Sequence, residues 1–199
     1  MIYPETLAKA IDYFQKLPGI GEKSAERMAL SILDFSEEDL ESFSQCLIAS
    51  KNKLSNCTVC GHITDKEICD ICSDEGRKKN LICVLEDYKS VFSFEKAGNY
   101  KGIYHVLGGL ISPIDDIKPE DINFNSLVKR VKELKDCELI IALKSTIEGE
   151  TTTLYIKKIF EKEPVEISRL SYGIPMGAEI DYLDSVTLDR AINDRKKIS

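Results

Sequence analysis

At 199 residues, with 43% hydrophobic and 31% charged residues, the chain is sized for one or two small globular domains. No apolar run approaches the roughly 20 residues of a membrane helix. The opening Met1-Ile2-Tyr3-Pro4-Glu5 lacks the charged and apolar regions of a signal peptide, so a cytoplasmic location is expected. A net charge of −7 excludes a generic basic coat for nucleic acid. Any DNA contact must then be local, or the sum of many weak sites.

Residues 1–53 read as helical. Leu7, Ala10, Ile11 and Phe14 form one apolar face, and Pro4 suits a first-turn position. Pro18-Gly19 stops this helix, and a second is expected from 22 to about 33, burying Ala25, Met28, Ala29 and Ile32. Ser36 and Asp39 resemble a capping box ahead of a third helix with Leu40, Phe43 and Leu47 inward. The polar, Lys-rich stretches 50–56 and 73–80 read as hinges around a cysteine-rich window.

From residue 81 the pattern changes to strands alternating with helices, the signature of a parallel α/β sheet. Strands are expected at 81–85, 103–107, 139–143 and 165–170. Helices are expected at 87–97, ended by Gly98, at about 125–134, and at 149–162 with Leu154, Ile156, Ile159 and Phe160 apolar. A long excursion covers 108–121. The tail from Ser171 carries Gly173, Pro175 and Gly177, then a helix from 185 to about 196.

Four of the seven cysteines form two CxxC pairs, Cys57/Cys60 and Cys69/Cys72. In a reducing compartment this clustering points to metal rather than disulfides. Four thiolates satisfy a tetrahedral Zn²⁺ and leave no open position for water, so one structural ion per chain is expected. An iron–sulfur cluster would accept the same four ligands. His62 is surplus to the set and is expected to support it or face solvent. Cys46 and Cys83 read as core, and Cys137 as inert. His105, at a strand end, reads as packed rather than catalytic.

The second candidate site is Leu17-Pro18-Gly19-Ile20-Gly21, followed by Glu22-Lys23-Ser24-Ala25-Glu26-Arg27. Gly19 and Gly21 permit a tight turn and close backbone approach. The N–H groups opening the next helix can hold a phosphate, with Lys23 and Arg27 on one face beside it. The pattern resembles the helix-hairpin-helix motif of DNA repair proteins. A hairpin used only for packing or assembly is the alternative.

Glu86 follows the first α/β strand, and Lys144-Ser145-Thr146-Ile147-Glu148-Gly149-Glu150 follows the third. This resembles a Toprim domain, whose active members place a Glu and an Asp-x-Asp pair there to hold Mg²⁺. Here the Asp positions are Lys144 and Thr146, so a competent two-metal centre is not expected. The remaining carboxylates Glu86, Glu148 and Glu150 read as a solvated rim or as a partner-docking patch. A Mg²⁺-dependent Toprim phosphoryl-transfer enzyme, nuclease or primase-like, is the rival reading.

The whole order resembles the RecR family. Further strings carry the resemblance: Tyr104-His105-Val106-Leu107-Gly108-Gly109, Ser112-Pro113, Gly173-Ile174-Pro175-Met176-Gly177 and Tyr182-x-Asp184-x-Val186-Thr187-Leu188. One departure is Lys144-Ser145, where many relatives have Asn-Pro. The resemblance implies a helix-hairpin-helix domain (1–53), a four-Cys zinc module (54–76), a Toprim domain (80–172) and a Walker-B-like C-terminal segment (173–199) that contributes to subunit contacts. It implies a non-catalytic, ring-shaped tetramer that encircles single-stranded, double-stranded or gapped DNA. It also implies work with RecO or RecF to displace single-strand binding protein and load RecA. The positions matching Lys23 and Arg27 contact DNA in the family, and those matching Glu148 and Glu150 face RecO. ATP hydrolysis is not implied, because no Walker A loop is present. Arg195-Lys196-Lys197 reads as a solvated basic helix end.

Overall fold

The computed structural model describes residues 2–197 apart from Lys135, Tyr172, Pro175 and Lys196. The chain divides into two compact units, one through Leu54 and the other from Ser55. Among the described residues no helix is long and apolar enough to cross a membrane.

In the first unit, α1 (Glu5–Gln15) and α2 (Glu22–Ser31) form an antiparallel hairpin, and α2 runs on into a 3-10 turn, Ile32–Asp34. Ile11, Ala25 and Ala29 fill the seam, flanked by Leu7, Ala10, Phe14 and Ile20. The small alanines of α2 let the helices approach closely, whereas Met28, expected inward, is exposed. Helix α3 (Glu37–Lys53) begins at Ser36, whose hydroxyl accepts from the Asp39 amide at 3.1 Å. It also donates to the Asp39 carboxylate at 2.7 Å. The expectation for α3 itself fails. No residue of it is buried; Leu40, Phe43 and Leu47 are exposed, and so is Cys46. The α1–α2 seam closes on itself and offers this helix no core to join.

The second unit opens on a small antiparallel pair, β1 (Ser55–Asn56) with β2 (Ile63–Thr64), and a one-turn helix α4 (Asp70–Ser73). The last three residues of the stretch read as a second hinge, 78–80, are strand. β3 spans Lys78–Leu85, earlier than its apolar run, because Lys78 pairs with Gly102. With β4 (Gly102–Val106), β5 (Cys137–Ala142) and β6 (Val165–Arg169) it forms a parallel sheet in the order β4-β3-β5-β6.

The sheet is covered on both faces. Ile82, Val84, Leu139 and Ile141 meet α6 (Phe124–Glu133) and α7 (Ile147–Ile159) through Leu127, Val131 and Ile156. The alternate residues Cys83, Leu85, Tyr104 and Val106 meet α5 (Tyr88–Ala97) through Val91. Continuous apolar runs in β3 and β4 follow from burial on both sides. Asp87 caps α5 by accepting from the Lys89 and Ser90 amides at 2.8 and 3.1 Å. On α7 only part of the expected apolar face is inward: Ile156 and, just past its end, Phe160 are buried, while Leu154 and Ile159 are exposed. The C-terminal helix α8 (Ser185–Asn193) is shorter than expected and has no buried residue. Pro175 of the expected glycine–proline loop and Lys196 of the basic tail lie outside the described residues.

Candidate metal centre, hairpin and carboxylate crevice

The sulfurs of Cys57, Cys60, Cys69 and Cys72 lie within 4.8 Å of one another. Those of Cys60 and Cys69 are 3.6 Å apart. Zn–S bonds of about 2.3 Å in a tetrahedron require sulfurs roughly 3.8 Å apart, so a zinc ion fits. Each CxxC turn places two sulfurs, and hairpin β1–β2 with α4 bring the turns together. The backbone aims donors at the sulfurs: the His62 amide at Cys60 Sγ, 3.4 Å, and the Cys69 amide at Cys57 Sγ, 3.3 Å. Hydrogen bonding with Cys69 and Cys72, then burial, drives the Cys60 thiol up, whereas hydrogen bonds from Cys60 and Cys72 draw that of Cys69 down. Sulfurs close enough to share protons in this way are also placed to share a cation. His62 is not a ligand. It is buried, packs edge-on against Phe92 with centroids 5.1 Å apart, and is held below its usual pKa by that burial.

The zinc module is fastened to the sheet. Ile71 of α4 packs into both the cysteine cluster and the α5 face. The Val106 amide, on edge strand β4, donates to the Cys60 carbonyl at 2.7 Å. Two cations that sequence reasoning missed complete the junction. Lys79 Nζ donates to the Cys72 carbonyl at 2.7 Å. Arg130 of α6 donates to the Tyr104 carbonyl at 2.6 Å and lies 3.9 Å from Cys72 Sγ. A zinc tetrathiolate carries two negative charges, and Arg130 stands where it offsets part of them. Nothing in the sequence marks it, since 58 positions separate it from Cys72.

In the helical hairpin, Gly19 has φ +81°, a conformation that penalises any side chain, and the Ile20 amide closes the turn onto the Leu17 carbonyl at 3.2 Å. Gly21 is different. It opens α2 in extended conformation with φ −83°, and a Cβ there would meet nothing. Glycine at 21 therefore answers to a cap preference and not to any steric limit, and the start of α2 is left uncovered by a side chain. Lys23 and Arg27 are both exposed on the first two turns of α2.

At the carboxyl ends of the strands, Glu86 and Lys144 meet: Nζ lies 2.8 Å from Glu86 Oε1. That bond raises the Lys144 pKa. Thr146 caps α7 by accepting from the Gly149 amide at 3.3 Å. Glu150 is held by Arg169 at 2.8 Å, with Arg190 of α8 at 3.7 Å. Glu148 lies in the first turn of α7, where a hydrogen bond from its own backbone amide, then one from Thr146, lowers its pKa. The three carboxylates therefore end differently. Two are joined to cations of the chain itself, a pairing that sequence distance conceals.

Four family descriptions match in order along the chain. They are the RecR helix-hairpin-helix at residues 7–51, the RecR four-cysteine zinc finger domain at 54–74, the Toprim domain at 80–171, and the RecR C-terminal region at 173–196. The recombination protein RecR of Staphylococcus aureus strain Mu3 is 46% identical over 198 residues, covering 100% of both chains. The same protein from strains Mu50 and JH9 shows 46% identity over 198 residues, again covering 100% of both chains. The chain belongs to the RecR family. Its role is accordingly in recombination repair, and its four-cysteine cluster fits the structural zinc ion of the family's finger. His105, for its part, is fully buried and bonds the Asn123 carbonyl through Nε2 at 2.8 Å.

Proposed function

We propose that the chain is a non-catalytic recombination mediator that grips DNA through its helical hairpin and, as a ring-shaped tetramer, acts with RecO or RecF to load RecA on single-stranded or gapped DNA. The observation that carries this reading is the mouth of α2. A glycine beside open space leaves the helix N-terminus uncovered, and Lys23 and Arg27 flank it on one face. Helix N-terminal amides and adjacent cations bind phosphate without reading sequence. A chain of net charge −7 with one small cationic site per subunit gains DNA affinity by linking copies.

The α/β unit contributes docking rather than chemistry. Lys144 and Thr146 stand where a metal-dependent centre needs carboxylates. Glu148 is the docking residue for the partner protein, while Glu86 and Glu150, tied to Lys144 and Arg169, shape the surface around it. The zinc module keeps its cluster closed and has a structural part.

The test is titration of single-stranded and gapped DNA in Mg²⁺ with products resolved on a gel. The wild type is expected to shift intact DNA, and a folded Lys23→Ala/Arg27→Ala variant is not. Cleaved or extended DNA that depends on Glu86 would replace this reading with a Toprim enzyme.

A further inference from the structure

The strand order reverses between β3 and β5. From β3 the chain passes through α5 to β4 on one side, then crosses through α6 to β5 on the other. Ligands of open parallel sheets bind in the crevice outside the carboxyl ends at such a point. In this chain the crevice is bridged from within. Leu85 and Ala142 are register partners. Glu86 follows the first, Lys144 lies two positions past the second, and their side chains join at 2.8 Å.

The donors around this bridge do not suit a divalent cation. Glu86 offers Oε2, which is buried with no hydrogen-bond partner among the described residues. Asp87 is committed to the amides that open α5, Thr146 to the Gly149 amide, and Glu150 to Arg169. Mg²⁺ requires a near-octahedral set of oxygens, and an ammonium group about 3 Å from the central carboxylate repels it.

We propose that Lys144 is a tethered cation that takes the seat a divalent ion would occupy between β3 and β5, making the crevice independent of metal. An ammonium fixed just past the end of the adjacent strand neutralises Glu86 without drawing on any free ion. It leaves the first turn of α7, with Glu148, in the same place whether or not Mg²⁺ is present. Removing the ammonium uncovers a carboxylate with one buried oxygen at the mouth of the sheet, the start of a metal site.

The experiment uses the full-length, zinc-loaded protein and Mn²⁺ as probe, with free Mn²⁺ read by electron paramagnetic resonance. Five proteins are compared: wild type, Glu86→Gln, Lys144→Asn, Lys144→Asp, and Lys144→Asp/Glu86→Gln. Wild type and the double variant are expected to show only weak background binding by surface carboxylates. Lys144→Asp is expected to gain one site bound roughly a hundredfold more tightly, and Lys144→Asn one bound about tenfold more tightly, because a repelling charge is removed and in the first case reversed. A wild-type Mn²⁺ site that disappears in Glu86→Gln would overturn the proposal. So would Lys144→Asp binding Mn²⁺ no better than wild type. If Lys144→Asp fails to give a cooperative melt, Lys144→Asn decides on the same criterion. The readout involves no DNA, so it stands apart from the hairpin test.

Discussion

Replacing Gly149 by alanine sets two effects against each other. Gly149 is in the first turn of α7, where alanine is intrinsically favoured by about 1 kcal/mol. Its missing side chain, however, faces the strand exit. A Cβ built there would overlap the Lys144 carbonyl oxygen and crowd the Lys144 carbonyl carbon at 3.0 Å. Both are backbone atoms, so no rotamer change relieves the clash. Helix α7 and the end of β5 must separate by roughly 1 Å to restore contact distance. Overpacking of this kind costs about 1–3 kcal/mol, and weakening of the Thr146 cap adds about 1 kcal/mol more. After the propensity gain, about 1–3 kcal/mol of destabilisation remains, which for a unit of this size lowers the melting temperature by about 2–12 °C. Thermal unfolding by circular dichroism measures it. Gly21→Ala is the control, since its Cβ meets nothing and its cost is limited to a cap preference of under about 1 kcal/mol. Equal melting temperatures for Gly149→Ala and wild type would refute the steric argument.

Chelation of zinc, or Cys72→Ser, is expected to lower the melting temperature by about 10 °C or more, since structural zinc contributes roughly 10–16 kcal/mol of apparent binding energy. Release on thiol modification should yield one zinc per chain, and recovery of iron instead would contradict the assignment. Burial pushes His105 down to about 4. Its unfolded value is about 6.5, so the unfolded chain binds the extra proton between the two. Stability is unaffected above about pH 6.5 and falls by about 2–3 kcal/mol as the pH drops towards 4. Urea unfolding at pH 7.5 and 5 should show this loss reduced in His105→Gln, and parallel pH curves would argue against it. For the hairpin, Lys23→Ala/Arg27→Ala should lower the slope of log affinity against log salt on single-stranded DNA, by about 0.7 for each phosphate no longer neutralised. An unchanged slope in the folded variant would remove both residues from the interface.

Sequence alone determined whatever depends on near neighbours along the chain. The two CxxC turns each fix a pair of sulfurs within a few residues, so the ligand set was legible from spacing. Local patterning likewise marked the hairpin at Gly19, the cap of α3 at Ser36 and Asp39, and the strands of the sheet, whose continuous apolar runs reflect helices on both faces. Element ends were less legible. Lys78 joins β3 because Gly102 is there to pair with it, although nothing apolar marks the position. The apolar spacing of α3 also misled, because periodicity identifies a face and not what covers it; Phe43 and Cys46 stay exposed in this chain. Tertiary structure decided the charges. Lys144 and Glu86 are 58 positions apart, as are Arg130 and Cys72, and Arg169 reaches back 19 to Glu150. Each pair meets only because the folded sheet and its helices bring distant segments together. Whether a carboxylate is open to a partner or already neutralised is a property of that meeting, which no local pattern encodes.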